Sequence, residues 1–340
     1  MLNPRSILVI RFSSIGDIVL TTSPLQRLRA AYPAARIDYF TLSEFAPLLE
    51  GHPAIDRVIQ LDRSTSFFRL KRITRRLRST GYDLIVDLHN TLRAKIIRSA
   101  MGSISSLVLK KPYLKRILLF YFHKNTFPKD FGIIRSLNQI IDPVVAGTNK
   151  YPTKLFVSEV ERNSARESLL KRGVKGRYLC FIPGAAWPQK QWLAESYGKL
   201  AREIIDTLSM DVIILGTSKD EICDHITGYC KSVTNMRGAT SIRESMAIIS
   251  SAILTIGSDT GLSHIAEAVG IRSVMILGPT ARETGAGHNL SGSATVEVKN
   301  LHCRPCSQKG NRTCTQKEQY CITRIDHQMV LKNVNEVLAT

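Results

Sequence analysis

Short runs of apolar and β-branched residues alternate with helical patterns along the chain, and this alternation constrains the fold more than any other feature. In the first half such runs occur at Ser6–Phe12, Arg36–Phe40, Arg57–Gln60 and Asp83–Leu88. Strands that are apolar on both faces are typical of parallel sheets covered by helices on both sides. The pattern therefore predicts an α/β domain of the doubly wound type.

A second series of the same kind begins after a less regular stretch between about residues 110 and 157. Its strand-like runs lie at Tyr178–Ile182, Asp211–Leu215, Ile253–Ile256 and Ser273–Leu277. With 340 residues, two domains are expected. We predict two doubly wound, Rossmann-like domains facing a cleft, over residues 1–155 and 175–322. Residues 323–340 are predicted to form a terminal helix, for which packing back on the N-terminal domain is one arrangement.

The charge of the chain is strongly positive and unevenly distributed. It has 47 Lys and Arg against 28 Asp and Glu, a net charge of +19, and residues 1–150 hold 24 of these bases and only 10 of the acids. The first half is thus expected to meet an anionic partner. Nucleic acid is not predicted, because the chain lacks a stretch in which basic and aromatic residues interleave.

The longest apolar stretches, such as Ile117–Phe122, are far shorter than a membrane span requires. The first apolar run is also too short for the core of a signal peptide. A cytoplasmic location is therefore expected. The chain has no G-x-G-x-x-G, Walker A, H-E-x-x-H or G-x-S-x-G motif, which argues against the familiar nicotinamide, ATP, zinc-protease and esterase sites.

Ligands of doubly wound sheets bind beyond the carboxyl ends of the strands, so the loops there are the candidates for chemistry. The first loop is Ser13–Asp17, and Asp17 is the only acidic residue among residues 1–37. From its position alone, Asp17 is either a carboxylate that favours a helix start or a general base at the cleft.

Two further loops follow strands of the second half. Lys190 precedes a helix and is either a solvated lysine or a group that neutralises a phosphate. The segment Gly257–His264 places an aspartate, a threonine, a glycine and a histidine at another helix start. These residues either cap the helix or surround a phosphorylated or polyhydroxylated ligand.

Taken together, the three loops resemble glycosyltransferase family 9, whose best-known members are the ADP-heptose:lipopolysaccharide heptosyltransferases. The matching segments are SSIGDIVLTTSP, the PGA…KQW loop, GSDTGLSHIAEAVG and LGPT. The resemblance implies a GT-B fold and an inverting, metal-independent transferase without a cofactor. It implies ADP-heptose as the donor and the inner core of lipopolysaccharide as the acceptor. A sugar-nucleotide epimerase of the same fold, or a family 9 transferase with another donor sugar, is the alternative.

The resemblance also assigns roles to individual residues. It implies that Asp17 is the base acting on the acceptor hydroxyl and that Lys190 contacts the donor diphosphate. The residues implied to surround the diphosphate and sugar are Asp259, Thr260, Gly261 and His264. Glu221, with Asp220 close behind, is expected to hold the ribose hydroxyls, and Gly238–Ser241 is expected to line the adenine.

A basic helix is predicted at Arg69–Arg78, where six of ten residues are Lys or Arg. The apolar residues Phe67, Leu70, Ile73 and Leu77 recur at helical spacing and should form its buried face. Arg69, Arg72 and Arg76, joined by Arg93, should form an outward surface for an anionic acceptor and the inner membrane. A solvated charged face is the alternative. The stretch Tyr113–Phe122 is also expected to touch the membrane surface without spanning it.

Four cysteines lie close together near the end of the chain. Cys303, Cys306, Cys314 and Cys321 have gaps of two, seven and six residues between them. The spacing allows either a structural zinc site or unligated thiols. No catalytic metal is predicted.

Overall fold

The computed structural model describes residues 3–147 and 151–339. These residues form two compact units. The first unit ends at Lys111 and resumes over Gly132–Phe156, whereas the second takes Pro112–Phe131 and the chain from Val157 onward. None of the described helices is long and apolar enough to cross a membrane.

The first unit is built on a five-stranded parallel sheet. Its strands are β1 (Ser6–Ile10), β2 (Arg36–Leu42), β3 (Arg57–Leu61), β4 (Leu84–Asp87) and β5 (Ser105–Val108), in the order β3-β2-β1-β4-β5. The helices of this unit are α1 (Ile15–Ala31), α2 (Phe67–Ser79), α3 (Leu92–Ala100) and, after the excursion into the second unit, α5 (Ile133–Gln139). The strand order reverses between β1 and β4, and the crevice at such a switch point is where doubly wound sheets bind ligands.

The second unit contains a six-stranded parallel sheet of the same type. Its strands are β6 (Tyr178–Ile182), β7 (Asp211–Ile214), β8 (Thr234–Asn235), β9 (Leu254–Ser258), β10 (Ser273–Ile276) and β11 (Ala294–Val296), in the order β11-β10-β9-β6-β7-β8. Its helices are α4 (Tyr113–Phe122), α6 (Glu159–Leu170), α7 (Ala194–Leu208), α8 (Ile222–Tyr229), α9 (Ile242–Ile249), α10 (Gly261–Ala268), α11 (Tyr320–Thr323) and α12 (His327–Ala339). The switch point lies between β6 and β9.

Two parts of the predicted domain division differ from the structure. Pro112–Phe131 was expected in the first domain but belongs to the second unit, because Leu119, Phe120 and Phe127 pack with Ala281. The terminal helix α12 belongs to the second unit. Its apolar residues, among them Val330 and Val334, are buried in the core of the second sheet.

The predicted strands all form, with ends that shift by one or two residues. β5, β8 and β11 were not anticipated, since they are short and do not present a continuous apolar run. The predicted buried face of α2 is only partly right. Leu70 and Leu77 are buried, but Phe67 is 50% exposed because it lies at the first turn, beyond the edge of the core.

Candidate active site

In the first unit, Asp17 lies at the switch point, in the first turn of α1 directly after the loop that follows β1. Both the backbone nitrogen and the hydroxyl of Ser14 donate hydrogen bonds to its Oδ2, at 3.2 and 2.9 Å. This is the helix-start arrangement considered from the sequence. However, only Oδ2 is used: no described residue donates to Oδ1, and the side chain is 44% exposed. Asp17 therefore caps its helix with one oxygen and offers the other to a ligand.

Arg11, which the sequence analysis did not single out, holds this carboxylate in place. Its Nη2 lies 2.7 Å from Oδ2 of Asp17, while Nε and Nη1 donate to the carbonyl oxygens of Ser13 and Leu88 at 2.8 and 2.6 Å. The guanidinium is nearly buried. The signal in the sequence that could have identified Arg11 is its position as a lone arginine at the end of an otherwise apolar strand.

The Arg11 guanidinium also changes the acidity of the base. Close packing by protein atoms works to raise the pKa of Asp17, but Arg11 and the Ser14 hydrogen bonds outweigh it, so the pKa lies below its usual range. The carboxylate is consequently ionised at neutral pH and free to accept a proton.

His89 is a second group at this switch point that the sequence analysis missed. It follows β4, and its Nδ1 accepts a hydrogen bond from the backbone nitrogen of Phe12 at 3.2 Å. Burial, with Arg11 and Lys111 nearby, lowers the pKa of His89 to about 3. The ring is thus neutral, and with Nδ1 as the acceptor its Nε2 carries the proton and can act as a donor.

In the second unit, the loops after β6 and β9 meet through an ion pair. Lys190 Nζ donates to Asp259 Oδ2 at 2.6 Å, and both side chains are largely buried. The family resemblance implied that both residues belong to the donor site, and the structure brings their side chains together. Parallel strands adjacent at a switch point explain why loops 69 residues apart in the chain touch.

The other oxygen of Asp259 faces a histidine and a glycine. His264 Nε2 lies 3.5 Å from Oδ1, and the backbone nitrogen of Gly287 donates to the same oxygen at 3.2 Å. Burial opposes ionisation of Asp259, but Lys190 and His264 dominate, so its pKa is far below its usual range. For His264, burial lowers the pKa while the Asp259 carboxylate raises it more, and the net direction is upward.

Several polar atoms beside this cluster are buried without a partner. Among the described residues nothing hydrogen-bonds to Thr260 Oγ1, His264 Nδ1 or Thr280 Oγ1. Thr260 is the residue that precedes α10, yet its side chain makes no capping bond. The capping interpretation of this loop therefore fails for Thr260 and Asp259. Buried polar groups are normally satisfied, so these atoms are available to hydrogen-bond a polar ligand. Gly261, the first residue of α10, lies among them.

The two acidic residues considered for the ribose hydroxyls follow β7 and have different surroundings. Asp220 turns inward, accepting hydrogen bonds from the backbone nitrogen and hydroxyl of Thr217, both at 2.7 Å. Its carboxylate also packs so close to Gly184 that a Cβ there would lie 2.4 Å from it. Glu221 is exposed at the start of α8.

The segment predicted to line the adenine lies beside the same loop. Gly238 has a φ of +64°, and its nitrogen donates to the carbonyl oxygen of Gly216 at 2.8 Å. A Cβ on Gly238 would come within 3.1 Å of Ser218. The segment thus borders the β7 loop that carries Glu221.

The arginines of the basic surface lie on helices that pack against each other, Arg69, Arg72 and Arg76 on α2 and Arg93 on α3. The three on α2 are exposed. Arg69 lies 3.9 Å from Asp62, and Arg93 donates to the carbonyl oxygen of Arg63 at 3.2 Å. Among the residues that the structure describes, no acidic side chain pairs with Arg72 or Arg76, so most of the positive charge on α2 is not neutralised there.

The four clustered cysteines line one small cavity of the second unit. All of them are free thiols, and burial raises the pKa of Cys321 to about 11. Across residues 3–147 and 151–339, no three His, Cys, Asp or Glu side chains are placed to share a metal ion. The two alternatives for Cys303, Cys306, Cys314 and Cys321, a structural zinc site or unligated thiols, stay predictions.

Comparison with known proteins now adds to these observations. Residues 70–317 match the sequence profile of glycosyltransferase family 9 (heptosyltransferase). The chain belongs to glycosyltransferase family 9. This confirms the predicted family and the prediction that the protein is a glycosyltransferase.

Relatives and solved structures agree with this assignment. The chain is 27% identical to lipooligosaccharide heptosyltransferase 2 of Haemophilus influenzae, over 98% of this chain and 99% of that protein. A glycosyltransferase family 9 structure from Veillonella parvula superposes with a TM-score of 0.84 at 20% identity, covering 100% of this chain and 98% of the other. The structure of ADP-heptose lps heptosyltransferase II from E. coli gives 0.72 at 21% identity, covering 98% of both chains. The GT-B-type fold is confirmed, and the epimerase alternative is not favoured.

Proposed function

We propose that this protein transfers a heptose from ADP-heptose to the inner core of lipopolysaccharide, with inversion at the anomeric carbon. The observation that carries the proposal is the buried Lys190–Asp259–His264 cluster with its unpartnered polar atoms at the second switch point. It is a preformed site for a charged, polyhydroxylated ligand. Family membership and the similarity to lipopolysaccharide and lipooligosaccharide heptosyltransferases supply the sugar and the acceptor.

The donor would be held by the second unit. Lys190 and the free backbone amides at the start of α10 face the diphosphate and stabilise the negative charge that develops as ADP leaves. His264 Nδ1 and Thr260 Oγ1 supply hydrogen bonds to the diphosphate and the sugar. Glu221 holds the ribose hydroxyls, and Gly238–Ser241 lines the adenine. The positive charge comes from the protein itself, so the proposal needs no metal ion.

The acceptor would react at Asp17. The acceptor oxygen attacks the anomeric carbon, its proton passes to Oδ1 of Asp17, and the bond from that carbon to the diphosphate oxygen breaks with release of ADP. Direct displacement of this kind inverts the anomeric centre. Arg11 keeps the carboxylate ionised and oriented with Oδ1 free.

The basic surface formed by Arg69, Arg72, Arg76 and Arg93 would attract the anionic inner core. Phosphates and carboxylates on an acceptor complement arginines whose charge is not neutralised. The same attraction would bring the enzyme, as a peripheral cytoplasmic protein, to the anionic inner face of the membrane.

The test is incubation with ADP-heptose and a panel of truncated lipopolysaccharide cores, followed by product mass. One heptose added to a single core, with release of ADP, is the expected result. Transfer from a different ADP-sugar only would assign another donor. Conversion of the sugar nucleotide to an epimer without any acceptor would instead support an epimerase.

A further inference from the structure

Helix α4 of the second unit exposes an unusual amount of apolar surface. Its large exposed side chains, with their exposed fractions, are Tyr113 (62%), Leu114 (70%), Ile117 (47%), Tyr121 (64%) and Phe122 (63%). A helix on the surface of a soluble domain normally turns polar residues outward. A contiguous apolar patch of this kind marks an interaction site.

The exposure belongs to a helix that is firmly held, not to a loosely packed segment. Along its inner side, beginning next to the exposed face, α4 buries Leu119 and Phe120 against Phe127 and Ala281. At the end of the helix, the Arg312 guanidinium stacks 3.9 Å from the centre of the Tyr121 ring. The outer face is therefore presented in a fixed orientation.

Four of the five exposed residues form one face, and Phe122 lies about 80° beyond it at the end of the helix. Tyr113, Ile117, Tyr121 and Leu114 fall within about 100° of the helix circumference at 3.6 residues per turn. Two of them are tyrosines, whose apolar rings and polar hydroxyls suit the boundary between lipid and water. The apolar face is thus shaped to lie in an interface rather than to pass through it.

The charged residues near this apolar face indicate which kind of lipid surface it would bind. Residues 112–129 contain four Lys or Arg and no acidic residue. Lys124 and Lys129 are exposed just after the end of α4, and Lys115 is exposed on another side of the helix, with its Nζ 5.8 Å from the centre of the Phe127 ring. Cations beside an apolar helix face complement anionic lipid headgroups, which attract each lysine or arginine near the surface.

We propose that the outer face of α4 docks on an anionic lipid surface, with its apolar side chains inserted among the headgroups and its lysines over the lipid phosphates. The inference deepens the proposed function and rests on it for its purpose, since an acceptor carried in a membrane must be reached from that membrane. The docking surface is distinct from the arginines of α2, which are proposed to meet the acceptor core.

The test measures binding to vesicles of phosphatidylglycerol and phosphatidylethanolamine, against vesicles of phosphatidylcholine alone, without donor or acceptor. The parent protein should bind the anionic vesicles preferentially. Leu114→Ser with Ile117→Ser should weaken this binding at least about tenfold, because two apolar side chains no longer insert. Lys124→Glu with Lys129→Glu should also weaken binding to the anionic vesicles, through charge alone. This variant tests the proposal if the serine variant folds poorly.

The chain offers a closely matched control on α6. Val160 and Leu170 are 78% and 45% exposed, close to the 70% and 47% of Leu114 and Ile117. Val160→Ser with Leu170→Ser removes similar apolar area at the two ends of α6, where Val160 lies between the acidic residues Glu159 and Glu161. This variant should bind vesicles like the parent.

Kinetics separate this proposal from the proposed function. With a deacylated, water-soluble core as the acceptor, the α4 variants should keep the parent kcat and KM. With acceptor embedded in anionic vesicles, their KM should rise. Failure of heptosyl transfer would contradict the proposed function and leave the vesicle result standing. Vesicle binding by the α4 variants equal to that of the parent would overturn the docking surface. So would a parent dimer that these variants dissociate, since a second copy would then cover the face.

Discussion

Arg11 Nη2 lies 2.7 Å from Oδ2 of Asp17, and this contact leaves Oδ1 of the same carboxylate without a donor among the described residues. The arrangement resolves a conflict in the chemistry of the site. A lowered pKa weakens a base, yet it guarantees that the base is ionised when the acceptor arrives. Orientation, rather than basicity, is then what Arg11 contributes.

The first prediction concerns the base itself. Asp17→Asn keeps the size of the side chain and its ability to accept from Ser14, but it removes the proton acceptor. We expect kcat to fall by about 10²–10⁴, with ADP affinity nearly unchanged. Steady-state kinetics and calorimetric titration with ADP measure the two quantities. A kcat within a few-fold of the parent would remove Asp17 from the mechanism.

The second prediction concerns the pH profile. Activity needs ionised Asp17, so it should be lost as the pH falls through the pKa of this residue in the folded enzyme, which Arg11 holds below the usual range. Arg11→Gln should therefore move the acidic limb of kcat to higher pH, and Arg11→Lys should largely restore the parent profile. An unchanged limb in Arg11→Gln would show that Arg11 does not control the base.

The two candidate sites differ in how far the sequence could predict them. Asp17, Lys190 and Asp259 lie in loops after predicted strands, and the strand pattern placed those loops at one edge of each sheet. His89 was missed because its contact with Phe12 depends on the pairing of β1 with β4, whose residues are 77 positions apart. Arg11 contacts Asp17 and Ser13 locally, but its hydrogen bond to the Leu88 carbonyl depends on the same pairing. Nothing local in the sequence records that pairing.

The position of α4 shows the same limit. In the sequence, α4 directly follows elements of the first domain, and the sequence analysis therefore placed it in that domain. The contact that draws them to the second unit involves Ala281, far along the chain. Short edge strands such as β5 were missed for a different reason: Ser105 and Ser106 are exposed and leave no apolar run to detect.

The third prediction concerns the donor cluster. Lys190→Ala should weaken ADP binding by about 1.5–3 kcal/mol, the usual contribution of a hydrogen bond to a charged group. It should also lower the melting temperature, because the buried Asp259 carboxylate would lose its lysine partner and keep only His264 and the Gly287 amide. ADP titration below the melting transition and a thermal melt measure the two effects.

Lys199 provides the control for this variant. It is a half-exposed lysine on α7, paired with Glu195 at 2.7 Å. Lys199→Ala should change neither ADP affinity nor the melting temperature appreciably, since exposed pairs contribute little. ADP binding to Lys190→Ala as tight as to the parent would refute the phosphate assignment.

The fourth prediction concerns the exposed arginines of α2. Arg72→Glu with Arg76→Glu should raise the KM for a deacylated, phosphorylated core acceptor several-fold, because attraction becomes repulsion. ADP affinity should stay the same, since α2 belongs to the first unit and the proposed donor site to the second. The parent KM should also rise with salt, which screens charges beyond about 10 Å at 0.1 M.

The matched control is Arg166→Glu with Lys171→Glu, which reverses two exposed cations at α6 of the second unit. If both double variants changed the KM equally, net charge rather than this surface would govern the acceptor, and α2 would be a solvated face.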